Sequence, residues 1–262
     1  MRLGLVTYNL AKDWDVGTII QNCAETGFAG VELRTSHAHR VEADLSPAQR
    51  REVRQRFADS PVALVGLGTA FEYDAVDPAE VRRNVEGTKQ YVKLAHDVGA
   101  AGVKVRPNRV HDDEGIPREQ TFAQIGLALR ECGAYASDYG IEIRLEVHGR
   151  VTCQPPHIRQ IIDHADHPNV FVCWNSNMQD IEAGSIDANF ALLQERIRLV
   201  HITELYSEYP WRRLFALLRS AGYRGFTLAE IPASPEPLRL MRYYRALWQA
   251  LSAPNGRGDD HA

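Results

Sequence analysis

The stretch IEIRLEVH, residues 141–148, decides the fold class of this chain. Apolar residues alternate along it with charged residues or histidine, which is the period-2 pattern of a strand with two unlike faces. Charge on an inward face is costly unless the groups are paired or bind a ligand. The apolar set is Ile141, Ile143, Leu145 and Val147, and the polar set is Glu142, Arg144, Glu146 and His148.

Seven further short segments rich in apolar and β-branched residues predict strands. Two of them also alternate apolar with charged residues. The charged residues are Glu32 and Arg34 in strand two, and Lys104 and Arg106 in strand four. Segments of helical period separate the strands. The predicted strands cover residues 3–7, 30–33, 62–67, 102–105, 141–147, 170–174, 199–202 and 225–231. The predicted helices cover residues 16–26, 47–59, 78–98, 117–139, 156–164, 186–196, 210–221 and 235–251.

Helix boundaries carry their own signals. Ser46-Pro47 and Asp77-Pro78 combine an N-cap residue with proline in the first turn, and Gly27 and Gly99 follow helix ends. Eight strand–helix units in roughly 250 residues predict a (β/α)8 barrel, an α/β fold of one domain over residues 1–252. A doubly wound sheet is the alternative, but the first turn has no GxGxxG. Residues 253–262 are expected to form a disordered tail.

Composition narrows the class of protein. The 262 residues are 44% hydrophobic and 24% charged, with a net charge of −4, which excludes collagen and mostly disordered chains. No basic block favours a nucleic-acid partner. The four cysteines are expected to be buried, reduced thiols. The apolar run at the N-terminus is too short for a secretory signal and no stretch would span a membrane, so we expect a cytoplasmic protein.

Four oxygen or nitrogen donors fall at the carboxyl ends of strands five to eight: Glu146, Asn175, His201 and Glu230. Their spacing of about one strand–helix unit predicts that they meet at one rim of the barrel. Such donors suit one divalent metal ion, Mn²⁺, Co²⁺ or Mg²⁺, with Zn²⁺ as a further possibility. Each also has a structural alternative, and Glu146 could instead form an interior ion pair with Arg144 or Arg106.

The motifs that end these strands resemble a known family. LEVHG (145–149), VCWNSN (172–177), VHITEL (200–205) and LAEI (228–231) look like the xylose-isomerase-like barrel superfamily, and more narrowly its sugar phosphate isomerase/epimerase group. The resemblance implies a metal held by Glu146, Asn175, His201 and Glu230. Asn175 departs from the usual aspartate, and Met178 stands where the family often has a histidine.

The resemblance also implies a reaction on a small carbohydrate: a sugar, keto-sugar or sugar phosphate. In this family a proton moves next to a carbonyl through an enediolate, with two carboxylates as acid and base. Glu146 and Glu230 match those positions. His148, Glu32 and Arg106 are candidate substrate-binding residues, with Arg34 and Lys104 as weaker ones.

Other functions stay open at this point. A metal-dependent lyase or dehydratase on a keto-sugar or keto-inositol would begin with the same proton abstraction. A metal-free binding barrel is supported by Asn175 and Met178. DNA cleavage is disfavoured because strands three and four offer no histidine at the rim. A homodimer is also possible, with Tyr243, Tyr244 and Trp248 on the last helix as either interface or packing residues.

Overall fold

Eight parallel strands follow one another in chain order around a closed barrel, and the last strand pairs with the first. The computed structural model describes residues 1–254. The strands are β1 (Arg2–Val6), β2 (Gly30–Arg34), β3 (Ala63–Glu72), β4 (Gly102–Arg106), β5 (Glu142–Glu146), β6 (Val170–Asn175), β7 (Ile197–Ile202) and β8 (Phe226–Ala229). The predicted α/β barrel of a single domain is confirmed.

An α-helix follows each strand and packs on the outside of the barrel. The helices are α1 (Val16–Thr26), α2 (Pro47–Ala58), α3 (Pro78–Val98), α4 (Arg118–Ser137), α5 (Pro155–Ala165), α6 (Asp187–Leu193), α7 (Trp211–Ser220) and α8 (Pro237–Ser252). In the described chain, none of these helices has the length and apolar character required to cross a lipid bilayer.

Local signals determine several helix ends. Ser46 forms a capping box with Gln49 at the start of α2, and the Asp77 side chain accepts the Ala79 N–H at the start of α3. Gly27 and Gly99 end α1 and α3 with positive φ angles of 76° and 82°, which glycine adopts without strain.

Two predicted elements differ from the observed ones by more than two residues at one end. β3 continues to Glu72, five residues beyond the predicted end at residue 67, so that Glu72 pairs with Arg106 in the β3–β4 register. The helix predicted over 186–196 is shorter, because its last turn, Gln194–Arg196, tightens into a 3₁₀ turn before β7. The tail predicted at 253–262 lies outside the described residues from position 255 onwards.

Most of the core lies between the strands and the helices. A smaller group of buried side chains comes from strands alone and fills the barrel interior: Val6, Val65, Cys173, Leu199, Phe226 and Leu228. All four cysteines are buried and free, as expected. Arg144 and Glu142 form an ion pair in the barrel, and Arg144 also donates to the Val65 carbonyl at 3.0 Å. The charges on the inward face of β5 are therefore paired.

Candidate active site

The polar side chains at the ends of β5 to β8 lie at one rim of the barrel. Glu146 ends β5, Asn175 ends β6, and His201 lies one residue before the end of β7. Asn175 is opposite His201 in the β6–β7 register. Glu230 follows β8 directly, and its backbone N–H donates to the Ile202 carbonyl at 2.9 Å. The closed barrel thus brings the ends of all four strands together.

Three of these residues form a compact set of possible metal ligands. One side-chain atom each of Glu146, His201 and Glu230 lies within 4.8 Å of the others. Nδ1 of His201 is 3.3 Å from Oε1 of Glu146 and 3.5 Å from Oε2 of Glu230. Although the ring lies this close to carboxylates, neither of its buried nitrogens makes an aligned hydrogen bond within the described chain. Two carboxylates and an imidazole with an unused nitrogen fit a divalent cation.

Asn175 borders this set. Its side-chain nitrogen donates to Oε1 of Glu146 at 3.4 Å, and the residue lines the same cavity. The amide contributes no charge, so the set carries one negative charge fewer than it would with aspartate. Met178 begins the 3₁₀ turn after β6 and its side chain is 62% exposed, outside the set.

Glu146 has a buried cationic partner. Nζ of Lys104 donates to Oε2 of Glu146 at 2.8 Å and to the Thr69 carbonyl at 3.2 Å, with both charged side chains only 3% exposed. Burial would raise the pKa of Glu146, but Lys104 and His201 outweigh it and hold that pKa well below its usual range. Glu146 is therefore ionised at neutral pH and able to bind a cation.

The alternative considered for Glu146, an interior ion pair, is formed, but its partner is Lys104 and neither Arg144 nor Arg106. Arg144 pairs with Glu142 lower in the barrel, and Arg106 forms a short ion pair with Glu72. Lys104 is the cationic partner of Glu146 instead. It projects from β4, the strand beside β5, and its long side chain reaches the rim from below.

Glu32 lies behind His201. Its carboxylate is fully buried, and Oε1 is 3.2 Å from Nε2 of His201, on the ring edge away from Glu146 and Glu230. Burial raises the pKa of Glu32, but His201 and Lys104 more than offset this and lower it. A carboxylate behind a histidine in this way fixes the orientation of a metal-binding imidazole. Glu32 does not line the cavity at the rim.

A polar cavity of about 390 Å³ opens over these residues. It contains Arg106 and His148, two of the three predicted substrate-binding residues. Its lining is Tyr8, Arg34, Arg106, Glu146, His148, Asn175, Asn177, Thr203 and Glu230. Sequence reasoning missed Tyr8, Asn177 and Thr203. All three lie within two residues of a strand end, and that position is the signal that could have identified them.

Unused hydrogen-bonding atoms remain around this cavity. Nε of Arg106 and Nδ1 of His148 are buried and, in the described part of the chain, have no hydrogen-bond partner. Burial lowers the pKa of His148, with Arg106 and Lys104 also acting in that direction, and Glu146 only partly opposes them. Arg34 makes one contact with Glu230, from Nη1 to Oε1 at 3.4 Å.

The sequence from residue 20 to residue 247 matches the family model described as xylose isomerase-like TIM barrel. The chain belongs to this family. The family match covers six of the eight helices in full and the other two in part, and every strand except β1. No curated protein matches the chain in sequence.

Solved structures with the same fold include several epimerases. 3-Keto-D-glucoside 4-epimerase YcjR from E. coli is 16% identical, with a TM-score of 0.80 over 95% of this chain and 99% of its own. D-Psicose 3-epimerase from Clostridium cellulolyticum H10, solved with D-tagatose, is 16% identical, with a TM-score of 0.82 over 97% and 100%. The IOLI protein with a bound zinc atom is 15% identical, with a TM-score of 0.78 over 96% of each chain. At these identities the similarity establishes a shared fold.

Proposed function

We propose that this protein is a divalent-metal-dependent isomerase or epimerase of a small carbohydrate. The observation that carries the proposal is the convergence of Glu146, His201 and Glu230 within 4.8 Å beside an open polar cavity. The relatives of known fold that are named as sugar epimerases support the substrate class, and the IOLI structure with its zinc atom supports a bound divalent metal.

Glu146, His201 and Glu230 would hold the metal, with Asn175 as a fourth donor through its amide oxygen. A divalent cation bound there supplies Lewis-acid stabilisation of the negative charge that develops on a substrate oxygen. Asn175 would have to turn its amide, because its nitrogen now faces Glu146.

The two glutamates are the proton carriers in this proposal. They reach the rim from β5 and from the end of β8, so they approach a bound substrate from different sides. One accepts the proton from the carbon next to the carbonyl, and the other returns a proton on the opposite face. Lys104 keeps Glu146 ionised, and Arg34 holds Glu230 by a single contact that leaves its other oxygen towards His201.

Replacing either glutamate tests the proposal. Glu146→Gln and Glu230→Gln should each lower bound Mn²⁺ and reduce proton exchange at the carbon next to the carbonyl by at least 100-fold. Bound metal is measured by elemental analysis, and exchange by NMR in D₂O with D-fructose, D-tagatose and D-psicose as probes. Glu52→Gln, an exposed change on α2, is the matched control and should leave both unchanged.

Two results would contradict the proposal. Metal content and exchange that are unaffected by both substitutions would show that these glutamates neither bind metal nor carry protons. An unsaturated product in place of an exchanged or inverted carbon would instead identify the lyase reaction that begins with the same proton abstraction.

A further inference from the structure

Cationic side chains are unusually frequent around the cavity. Arg34 and Arg106 line it, and Lys104 lies directly beneath Glu146. A neutral sugar presents hydroxyl and carbonyl groups, which carboxylates, amides and water can bind without fixed positive charge. The charge that a substrate can carry therefore depends on how far the carboxylates of the site balance these three buried or half-buried cations.

The charges can be counted from the contacts. The negative groups at the site are Glu146 and Glu230 in the lining, Glu72 paired with Arg106, and Glu32 paired with His201. These four oppose the three cations, so the site without metal has one negative charge in excess when His201 is neutral. A divalent cation reverses the balance and leaves one positive charge in excess.

Both arginines that line the cavity have hydrogen-bond donors that are not used by any described residue. The Arg106 side chain is held at one end by Glu72, while its buried Nε has no partner within residues 1–254. The Arg34 guanidinium lies 5.3 Å from the Tyr8 ring centre, and its one hydrogen bond to a carboxylate uses only Nη1. Arginines held in place in this way, with unused N–H groups, are suited to a planar anionic group.

We propose that the substrate is a sugar acid, whose carboxylate is bound in this cavity by Arg106 together with Arg34. This inference rests on the proposed function, because it assumes the bound divalent cation. One carboxylate balances the single excess positive charge. A phosphate monoester, which carries about two negative charges near pH 7, would leave a negative excess.

Three ligands that differ at one carbon test this inference. D-Fructose is neutral, D-fructuronate has a carboxylate at C6, and D-fructose 6-phosphate has a phosphate there. Isothermal titration of the Mn²⁺-loaded protein should give a Kd for D-fructuronate at least ten times lower than that for D-fructose, and lower than that for D-fructose 6-phosphate. Without Mn²⁺ the site lacks the two positive charges of the cation, so the preference for D-fructuronate should disappear.

Substitutions of Arg106 identify the group responsible. Arg106→Gln should reduce the preference for D-fructuronate, measured as the ratio of the Kd for D-fructose to the Kd for D-fructuronate, to less than twofold. Arg106→Lys keeps the charge but loses the planar fork, so it should retain part of the preference. Arg82→Gln, which removes an exposed arginine on α3, is the control and should preserve it in full.

Several results would overturn the inference. Equal binding of D-fructose and D-fructuronate by the Mn²⁺-loaded wild type would do so, as would an equal loss of both ligands in Arg106→Gln and Arg106→Lys. Tightest binding of the phosphate would reject the carboxylate. Failure of Mn²⁺ to bind removes the proposed function itself, whereas binding of Mn²⁺ and proton exchange without an anion preference removes only this inference.

Discussion

Single side chains behind the rim control how the three possible ligands are held. His201 has carboxylates on both edges of its ring, Glu32 on one side and Glu146 and Glu230 on the other. Burial disfavours the charged ring, but Cys173, Glu32 and Glu146 outweigh it and raise the pKa of His201. A cation bound at Nδ1 would compete with a proton for that nitrogen. Glu32, on the other edge of the ring, and Lys104, which pairs with Glu146, therefore affect cation binding although neither lines the cavity.

Glu32→Gln should weaken Mn²⁺ binding by about 10–100-fold, the usual cost of losing a carboxylate that orients a metal-binding histidine. The measurement is isothermal titration of the metal-free protein with Mn²⁺. Glu52→Gln is the control. An unchanged Kd for Mn²⁺ together with weaker sugar binding would instead support the sequence-based expectation that Glu32 contacts substrate.

Lys104→Met should destabilise the metal-free protein by about 3–5 kcal/mol, because it leaves Glu146 buried without its closest counter-charge. Mn²⁺ should restore most of that loss, since the cation replaces the missing ammonium. Urea unfolding with and without Mn²⁺ measures both effects. Lys89→Met, at a partly exposed ion pair of α3, should cost about 1 kcal/mol. A loss that Mn²⁺ does not restore would contradict this account.

At the scale of secondary-structure elements, the sequence predicted the order and type of every strand and α-helix, because each has its own period and caps. The rim donors were also placed on the correct strand ends. The partners of those donors could not be predicted. Lys104 and Glu146 are 42 residues apart, and their contact depends on side-chain reach between neighbouring strands, which strand periodicity does not encode.

The segment after β6 is a second region whose long-range contacts could not be predicted from the sequence. Asp180 is buried and accepts hydrogen bonds from the Tyr209 hydroxyl at 2.7 Å and from the Asn177 N–H at 3.0 Å, while the Trp174 indole N–H donates to Tyr209 at 3.2 Å. This network fixes the segment that carries Asn177 into the cavity. It joins the loop after β6 to the loop after β7, and only its Asn177–Asp180 contact, a capping box, has a local sequence signal.

Asp180 should make the stability of the protein depend on pH. Burial raises its pKa to about 7, although Tyr209 and Asn177 oppose the shift. Between about pH 4 and pH 7 the folded state keeps a proton that the unfolded state releases, so the free energy of unfolding falls as the pH rises through this window. The wild type should lose roughly 2–3 kcal/mol of unfolding free energy between pH 5 and pH 8 through this group, and Asp180→Asn should not show that loss. Urea unfolding at the two pH values measures it. Parallel pH profiles for the two proteins would refute this.

At the scale of the whole molecule, almost all of the described chain belongs to the closed barrel and the helices around it. Two of the three aromatic residues considered for an interface belong to its packing: the Tyr244 hydroxyl donates to the Thr203 carbonyl at 2.6 Å, and the Trp248 indole donates to Thr227 Oγ1 at 2.9 Å. Tyr243 alone of the three is exposed. The expected homodimer stays a prediction.

Metal binding should stabilise the entire barrel, because the ligands come from three strands that must be in place together. Free Mn²⁺ at 100 times its Kd should add about 2.7 kcal/mol to the free energy of unfolding, which corresponds to a rise in Tm of roughly 5–10 °C. Thermal melting with Mn²⁺ and then with excess EDTA measures it. Glu230→Gln should lose most of the rise, and an equal rise in that variant would place the metal elsewhere.

The side chains at the rim fall into two sets, one from each half of the chain. The side chains proposed to hold a metal come from β5, β7 and the residue after β8 in the second half of the chain, whereas β2 and β4 in the first half contribute the arginines and the supporting Glu32 and Lys104. Mutations in the first half can therefore alter which substrates are accepted while the metal-facing residues stay the same. Divergence of substrate range within a lineage of such barrels is expected in β2, β4 and the loops that follow them, and in the cavity-lining residues His148, Asn177 and Thr203 of the second half.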